Sequence, residues 1–111
     1  MTGRMHFRFL ALLLAPLSLP GQVQDLTFVS SVDGTSQPYA LYLPPNFDAA
    51  QKYPLIVSLH SEDTNHRLNL RQVLGPPNRM GRPLHEDARF LIASPYARGA
   101  MGYQGIAEQD V

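Results

Sequence analysis

The sequences LIVSL at residues 55–59 and FLIAS at residues 90–94 decide the fold of this 111-residue chain. Both runs are nearly continuous in apolar side chains, a pattern typical of parallel strands that are buried on both faces. Residues 60–89 lie between them, which is long enough for the crossover connection that parallel neighbours require. The sequence therefore predicts two parallel strands of an α/β sheet.

Part of the connection between these strands is predicted to be helical. Thr64 is a candidate N-cap for the helix. Three apolar side chains fall on one face of that helix: Leu70, Val73 and Leu74. The sequence Gly-Pro-Pro at residues 75–77 ends the helix, because glycine favours helix C-termini and proline cannot continue a helix. Residues 78–87 are largely polar and contain a further proline, so we expect a loop there.

A β-hairpin is predicted ahead of the parallel strands. Residues 25–32 and 39–43 are two strand-like runs with large, partly alternating side chains. Asp33 and Gly34 lie between them and predict the turn, because glycine accepts the positive φ of tight hairpin turns. The prolines at 44–45 end the second strand, since they have no N–H to donate. The predicted fold class is α/β: an antiparallel hairpin, then two parallel strands with a helical crossover.

The first 21 residues have the features of a signal peptide. A short basic lead precedes an apolar stretch at residues 9–19, which as a helix measures about 16 Å, about half the hydrocarbon thickness of a membrane. The helix breakers Pro20 and Gly21 place the predicted cleavage after Gly21, so that residues 22–111 form the mature domain. A buried amphipathic helix is the alternative, but the apolar stretch has no polar face.

Charge and cysteine content exclude several classes of protein. Nine Lys and Arg balance nine Asp and Glu, so nothing indicates a nucleic-acid-binding surface. The absence of cysteine excludes disulfides, thiolate metal sites and a lipid anchor on cysteine. Loss of Arg4 and Arg8 with the signal leaves a net charge of −2. We therefore expect a secreted or periplasmic protein with no stable membrane anchor after signal cleavage and no nucleic-acid partner.

The end of the sequence predicts an incomplete domain. Residues 106–111 look like the first turns of a helix, with Glu108 and Asp110 where acidic groups favour a helix N-terminus. A helix this short is not stable alone in water, and the strand at residues 55–59 lacks a predicted neighbour on one edge. We therefore expect residues 22–111 to be the N-terminal part of a truncated domain. A compact domain with a frayed end is the alternative.

The order of these features resembles the start of the α/β-hydrolase fold. Residues 39–47 have the sequence YALYLPPNF and residues 52–60 have KYPLIVSLH, which is similar to secreted esterases of the polyhydroxybutyrate-depolymerase-like and prolyl-oligopeptidase-like groups. In those esterases a hairpin ending in Tyr-Leu-Pro precedes a strand that ends in His-Gly. Residues 90–98, FLIASPYAR, resemble their fourth strand and the loop after it. The resemblance covers roughly residues 27–111.

The resemblance implies a position for an oxyanion hole. In this fold the loop after the third strand supplies one of two backbone N–H groups that stabilise the negative oxygen of a tetrahedral acyl intermediate. The matching positions are His60 and Ser61, and Ser61 stands where the family has glycine. The Ser61 N–H is therefore the candidate oxyanion donor, and His60 is the candidate support of its loop.

The same resemblance implies a catalytic triad that this sequence does not contain. A serine hydrolase of this fold uses a Gly-x-Ser-x-Gly elbow, an acid and a histidine, all after the fourth strand. No Gly-x-Ser-x-Gly occurs in the 111 residues. No residue is therefore assigned as nucleophile, acid or base.

The glycine-rich segment after residues 90–94 is predicted to be a loop that faces the substrate. Its glycines at positions 99, 102 and 105 lack the Gly-x-Gly-x-x-Gly spacing of dinucleotide sites, so no cofactor is expected. Three of its side chains are candidates for lining a substrate cleft, with ordinary surface as the alternative: Arg98, Tyr103 and Gln104.

A second polar cluster follows the strand at residues 55–59. Its members are His60, Glu62, Asp63 and His66. Because their spacing matches no established metal-ligand pattern, a solvated polar loop is preferred and no metal site is assigned.

Two classes of function remain open. The first is the N-terminal portion of an exported serine hydrolase whose full-length parent cleaves carboxylic esters through an acyl-enzyme. A serine peptidase parent is its nearest variant, so the expected substrate is a small-molecule ester or a peptide. The second is a secreted, non-catalytic binding module that has the fold without the chemistry. A downstream in-frame Gly-x-Ser-x-Gly would discriminate between them.

Overall fold

The computed structural model describes residues 19–76 and 89–111. These residues form a mixed α/β structure with four strands and two helices. In chain order the elements are β1 (Gln22–Val29), β2 (Ser36–Leu43), β3 (Leu55–Val57), α1 (His66–Leu74), β4 (Leu91–Pro95) and α2 (Ile106–Gln109). Most of the predicted signal peptide and the predicted loop at residues 78–87 lie outside the described residues.

The four strands form one sheet in the order β1-β2-β4-β3. The antiparallel β1–β2 hairpin and the parallel β3–β4 pair are confirmed. The sheet also contains a pairing that the sequence did not predict, because β2 runs antiparallel to β4 with Tyr39 opposite Pro95. The hairpin and the parallel pair are thus joined directly, and helix α1 packs on β2 and β4.

The first strand of the hairpin ends, and the turn begins, earlier than the sequence predicted. We expected the first strand to cover residues 25–32, but β1 ends at Val29. Ser30 closes the turn, since its N–H donates to Thr35 O (2.8 Å) and its carbonyl accepts from Gly34 N (2.9 Å). Gly34 has the expected positive φ of 73°. Asp33 adds a side-chain contact, because its Oδ1 accepts from the Thr35 N–H and hydroxyl.

Helix α1 begins one residue later than expected. Asn65 rather than Thr64 is the N-cap, and its side-chain oxygen accepts from the N–H groups of Arg67 and Leu68, both at 3.0 Å. Gly75 ends the helix in the left-handed region with φ of 68°, and its N–H donates to Arg71 O.

The core lies between α1 and the sheet. Its fully buried apolar side chains are Ala40, Tyr42, Leu70 and Ile92, with Leu74 and Phe90 packed against them. Val73 was predicted to share this face, but it is 46 % exposed and lies at the side of the helix. The helix therefore docks mainly through Leu70 and Leu74.

Strand β3 is not buried on both faces, contrary to the prediction. Leu55, Ile56 and Val57 are all exposed, between 44 % and 57 %. The reason is that β3 lies at the end of the strand order and has one neighbour, while α1 covers β2 and β4. The open apolar edge that the sequence predicted for this strand is thus present in the described structure.

The described residues contain no helix that is long and apolar enough to cross a membrane.

Candidate functional site

The parallel pair β3–β4 brings two loops to the same edge of the sheet. The carboxyl ends of both strands point to that edge, which is where open α/β sheets bind ligands. Residues 58–65 follow β3 and lead into α1, and residues 96–105 follow β4. An open cleft of about 540 Å³ lies between these loops and the start of α1. Its walls include Glu62, His66 and Tyr96.

His60 connects the two loops and is 4 % exposed. Its Nδ1 lies 2.8 Å from Ser61 O, and its Nε2 lies 2.8 Å from Tyr96 O. The ring also stacks on the Tyr96 ring, with centroids 6.1 Å apart. Since one contact is to the loop after β3 and the other to the loop after β4, the side chain holds the two carboxyl ends together.

Ser61 lies at the surface with its backbone N–H engaged inside its own loop. The N–H donates to Thr64 Oγ1 at 3.1 Å, and the Thr64 N–H donates back to Ser61 O at 3.1 Å. Ser61 is thus exposed and is not one of the residues that line the cleft, and its N–H, the predicted oxyanion donor, donates to the neutral Thr64 hydroxyl. Ser61 does not have a positive φ, so its backbone conformation does not require glycine.

The three predicted cleft side chains do not lie together. The Arg98 guanidinium pairs with Asp33, through Nη1 at 2.8 Å and Nη2 at 3.0 Å, and its Nε donates to Asp110. Tyr103 donates its hydroxyl to His60 O at 2.7 Å, and Gln104 is exposed. From this loop, Tyr96, Gly99 and Ala100 line the cleft, and contact of the three predicted side chains with a substrate stays a prediction.

The cluster of Arg98 with Asp33, Asp110 and Ser30 closes the base of the glycine-rich loop. Ser30 Oγ donates to Asp110 Oδ1 at 2.6 Å. Hydrogen bonds from Arg98 hold the pKa of both carboxyl groups below the ordinary range, and the two carboxylates raise the pKa of Arg98. The chemistry is that of a fixed ion-pair network and not of an acid or base that exchanges protons near neutral pH.

Asn69 was missed in the sequence. Its amide nitrogen lies 3.1 Å from Ser58 O, 3.0 Å from Ser58 Oγ and 2.8 Å from Ser94 Oγ. These contacts tie α1 to the start of the loop after β3 and to the end of β4. The sequence did contain a signal for this role. Asparagine is a weak helix former, and Asn69 lies next to the core residue Leu70 within the predicted helix.

His66 is the most enclosed titratable side chain in the wall of the cleft, at 8 % exposure. Its ring meets Tyr96 edge-on at 5.4 Å, and its Nδ1 has no hydrogen-bond partner within the part of the chain that the structure describes. Burial lowers the pKa of His66 below 6.5, and the charge of Arg67 lowers it further. The described residues contain no group of three or more His, Cys, Asp or Glu that would hold a metal ion.

The lowered pKa of His66 predicts a pH dependence of stability. Between its folded-state pKa and 6.5, the unfolded chain binds a proton that the folded chain does not. The contribution of His66 to the free energy of unfolding is therefore complete above pH 6.5 and declines as the pH falls below 6.5. Urea unfolding of wild type and His66→Gln across this range checks the prediction, since subtracting the two cancels the other titrating groups. A difference in unfolding free energy that does not change with pH would contradict it.

The comparisons with known proteins identify structural neighbours and no sequence family. No family model and no curated protein matches the sequence. A ferulic acid esterase structure matches with a TM-score of 0.54 at 21 % identity, over 71 % of this chain and 32 % of that chain. A mutant feruloyl esterase module from Clostridium thermocellum, complexed with sinapinate, matches with a TM-score of 0.52 at 17 % identity. That match covers 68 % of this chain and 27 % of the module.

At these identities the likeness establishes a shared fold. The chain spans less than a third of the length of either esterase structure. Its four-stranded sheet and helices thus share the fold of part of each of these two structures.

Proposed function

We propose that this chain is the N-terminal portion of an exported serine hydrolase whose full-length parent cleaves carboxylic esters. The observation that carries the proposal is the His60–Ser61 peptide, held by side-chain contacts at the carboxyl end of β3 beside the end of β4. The shared fold with parts of two esterases supports it. Strand β1 begins at Gln22, directly after the proposed signal cleavage, so export would leave the sheet intact.

The role proposed for this portion of the parent is to stabilise the negative charge that develops on the substrate oxygen during ester hydrolysis. When a serine attacks an ester carbonyl, the carbonyl oxygen becomes an oxyanion, and the Ser61 N–H would donate to it. Loss of one such donor costs about 3–4 kcal/mol of transition-state stabilisation. The present partner of Ser61 N is the neutral Thr64 hydroxyl. A hydrogen bond to an ionised acceptor is roughly twice as strong as one between neutral groups, so the oxyanion would displace that hydroxyl.

The chain alone is expected to show no esterase activity. The oxyanion donor cannot act without a nucleophile and base, and the sequence has no Gly-x-Ser-x-Gly. Hydrolysis of p-nitrophenyl acetate and of methyl ferulate by the purified chain should equal that of a boiled control. Turnover above that control would contradict the assignment of the triad to residues outside this chain.

The test of the parent is to read the coding DNA beyond Val111 and express the complete reading frame. We expect a downstream Gly-x-Ser-x-Gly, ester hydrolysis by the complete protein, and secreted protein beginning at Gln22. Ferulate esters are included as substrates because the two structural neighbours are named for them. Cleavage of a peptide anilide without ester hydrolysis would favour the peptidase parent.

A non-catalytic binding module is the second candidate. The observation that favours it is the internal Ser61–Thr64 hydrogen bond, because it occupies the N–H that an enzyme would present to substrate. A complete reading frame that has no downstream elbow, and no hydrolytic activity, would support the module and overturn the esterase.

A further inference from the structure

We propose that Tyr103 is a positioning residue that sets the direction of the Ser61 N–H, an inference that rests on the proposed oxyanion function. The Tyr103 hydroxyl donates to His60 O at 2.7 Å. That carbonyl and the Ser61 N–H are the two ends of a single peptide group. The hydroxyl therefore holds the same unit whose opposite end would meet the oxyanion.

Peptide geometry makes this contact directional. A trans peptide is planar, and its C=O and N–H bonds point in opposite directions. Within residues 19–76 and 89–111, which include the His60–Ser61 peptide, no peptide bond is cis. A donor that fixes the His60 oxygen therefore fixes the direction of the Ser61 N–H. Hydrogen bonds in a chain also polarise one another, so donation to the carbonyl makes the N–H at the other end a stronger donor.

The Tyr103 hydroxyl is protonated, and contacts with neighbouring residues fix the position of its ring. Burial raises the pKa of its phenol, so the hydroxyl keeps its proton at neutral pH. Its ring meets the His60 ring edge-on, with centroids 5.8 Å apart. The loop that carries it is closed at its base by the Arg98 pair with Asp110. The hydrogen bond from Tyr103 to His60 O is thus fixed by the fold of the loop, because the tyrosine ring is packed and does not rotate freely at the surface.

The sequence allows this peptide to be observed by itself. His60–Ser61 is the one place where histidine precedes serine. Labelling histidine with carbonyl ¹³C and serine with ¹⁵N gives one correlation that reports the His60 carbonyl and the Ser61 N–H together. The matched variants are Tyr103→Phe and Tyr96→Phe. Each removes one hydroxyl from a ring packed on His60, but only the Tyr103 hydroxyl bonds to this peptide.

We expect Y103F to move this correlation in both dimensions and to raise the Ser61 amide exchange rate by about tenfold, the effect of losing one hydrogen bond. Y96F should leave the correlation near its wild-type position. A Y103F spectrum that matches wild type, with far-UV circular dichroism showing a folded chain, overturns the proposal. Equal shifts in both variants also overturn it, because they would indicate a packing effect.

The complete reading frame separates this inference from the proposed function. In an active parent, Y103F is expected to lower kcat about tenfold with KM little changed, since the N–H is used in the transition state. An active parent in which Y103F keeps the wild-type kcat overturns the positioning role and leaves the esterase intact. A wild-type parent without ester hydrolysis overturns the proposed function, whatever the spectra of the Y103F chain show.

Discussion

Replacement of Arg98 by methionine is expected to lower Tm by about 10 °C or more. The reason is that the Asp110 side chain, 1 % exposed, would lose the cation that pairs with it. The Ser30 hydroxyl would still donate to Asp110, but it carries no charge, so the enclosed carboxylate would be left without a cation. Methionine keeps the apolar stem, and the loss is confined to charge and hydrogen bonds. Thermal unfolding followed by circular dichroism measures the effect.

The matched control for this prediction is Arg67→Met. Arg67 pairs with Asp25 at 3.1 Å, but both side chains are more than half exposed. An exposed ion pair contributes about 0–1 kcal/mol, so R67M should change Tm by only a few degrees. Adding Asp110→Asn to R98M should restore part of the loss, because it removes the unpaired charge. Equal Tm values for R98M and R67M would refute the buried-pair account.

The same cluster predicts how the R98M effect varies with pH. Hydrogen bonds from Arg98 hold the pKa of Asp33 and Asp110 below 3.8. As the pH falls through 3.8, the two carboxylates of the unfolded chain bind protons before those of the folded chain do. The stability that these carboxylates contribute is therefore complete well above pH 3.8 and is lost at lower pH. The Tm difference between wild type and R98M should therefore narrow as the pH falls from about 5 toward 2.

Sequence patterns predicted which residues form strands better than they predicted which strands pair with each other in the sheet. The parallel pairing of β3 and β4 follows from two apolar runs separated by a connection of crossover length. The antiparallel pairing of β2 with β4 could not be predicted, because no local pattern specifies which non-sequential strand lies beside another. The exposure of β3 has the same origin, since burial depends on what covers a strand and not on its own composition.

Local competition explains the error at the helix N-cap. Thr64 and Asn65 are both good N-caps, and the sequence does not say which one the helix uses. The structure assigns Asn65 to the helix and uses the Thr64 hydroxyl to close the turn with Ser61. The sequence thus predicted correctly that a polar capping side chain begins the helix, but the predicted N-cap was one residue too early.

For the candidate site, the sequence located the loops but not the contacts within them. The resemblance implied that His60 and Ser61 lie in the loop after the third strand, and the structure describes both between β3 and α1. The donor to the His60 carbonyl is Tyr103, 43 residues away, and such a contact depends on the closed sheet. Arg98 was predicted to line a cleft, whereas its partner Asp33 lies 65 residues earlier in the hairpin turn. Residue type alone does not distinguish a substrate-facing arginine from one in a structural ion pair.

Replacement of Leu70 by alanine is expected to lower the free energy of unfolding by about 2–5 kcal/mol. Leu70 is fully buried between α1 and the sheet, in contact with the cluster of Ala40, Tyr42 and Ile92. Alanine removes most of the apolar surface through which the helix docks and leaves a cavity that β2 and β4 cannot fill. Even a complete domain has a total stability of only about 5–15 kcal/mol, so the loss is a large fraction of the stability of this chain. Urea unfolding followed by circular dichroism measures it.

Leu68→Ala is the control, because Leu68 lies on the same helix but is 42 % exposed. Leucine and alanine are both strong helix formers, so L68A should change the unfolding free energy by less than about 0.5 kcal/mol. The comparison also bears on the site, since Asn69 lies between the two leucines and ties α1 to Ser58 and Ser94. If Leu70 docks the helix, amide exchange in residues 58–65 should accelerate in L70A and not in L68A. Equal exchange in both variants would mean that the loop after β3 is held by its own hydrogen bonds, independently of helix packing.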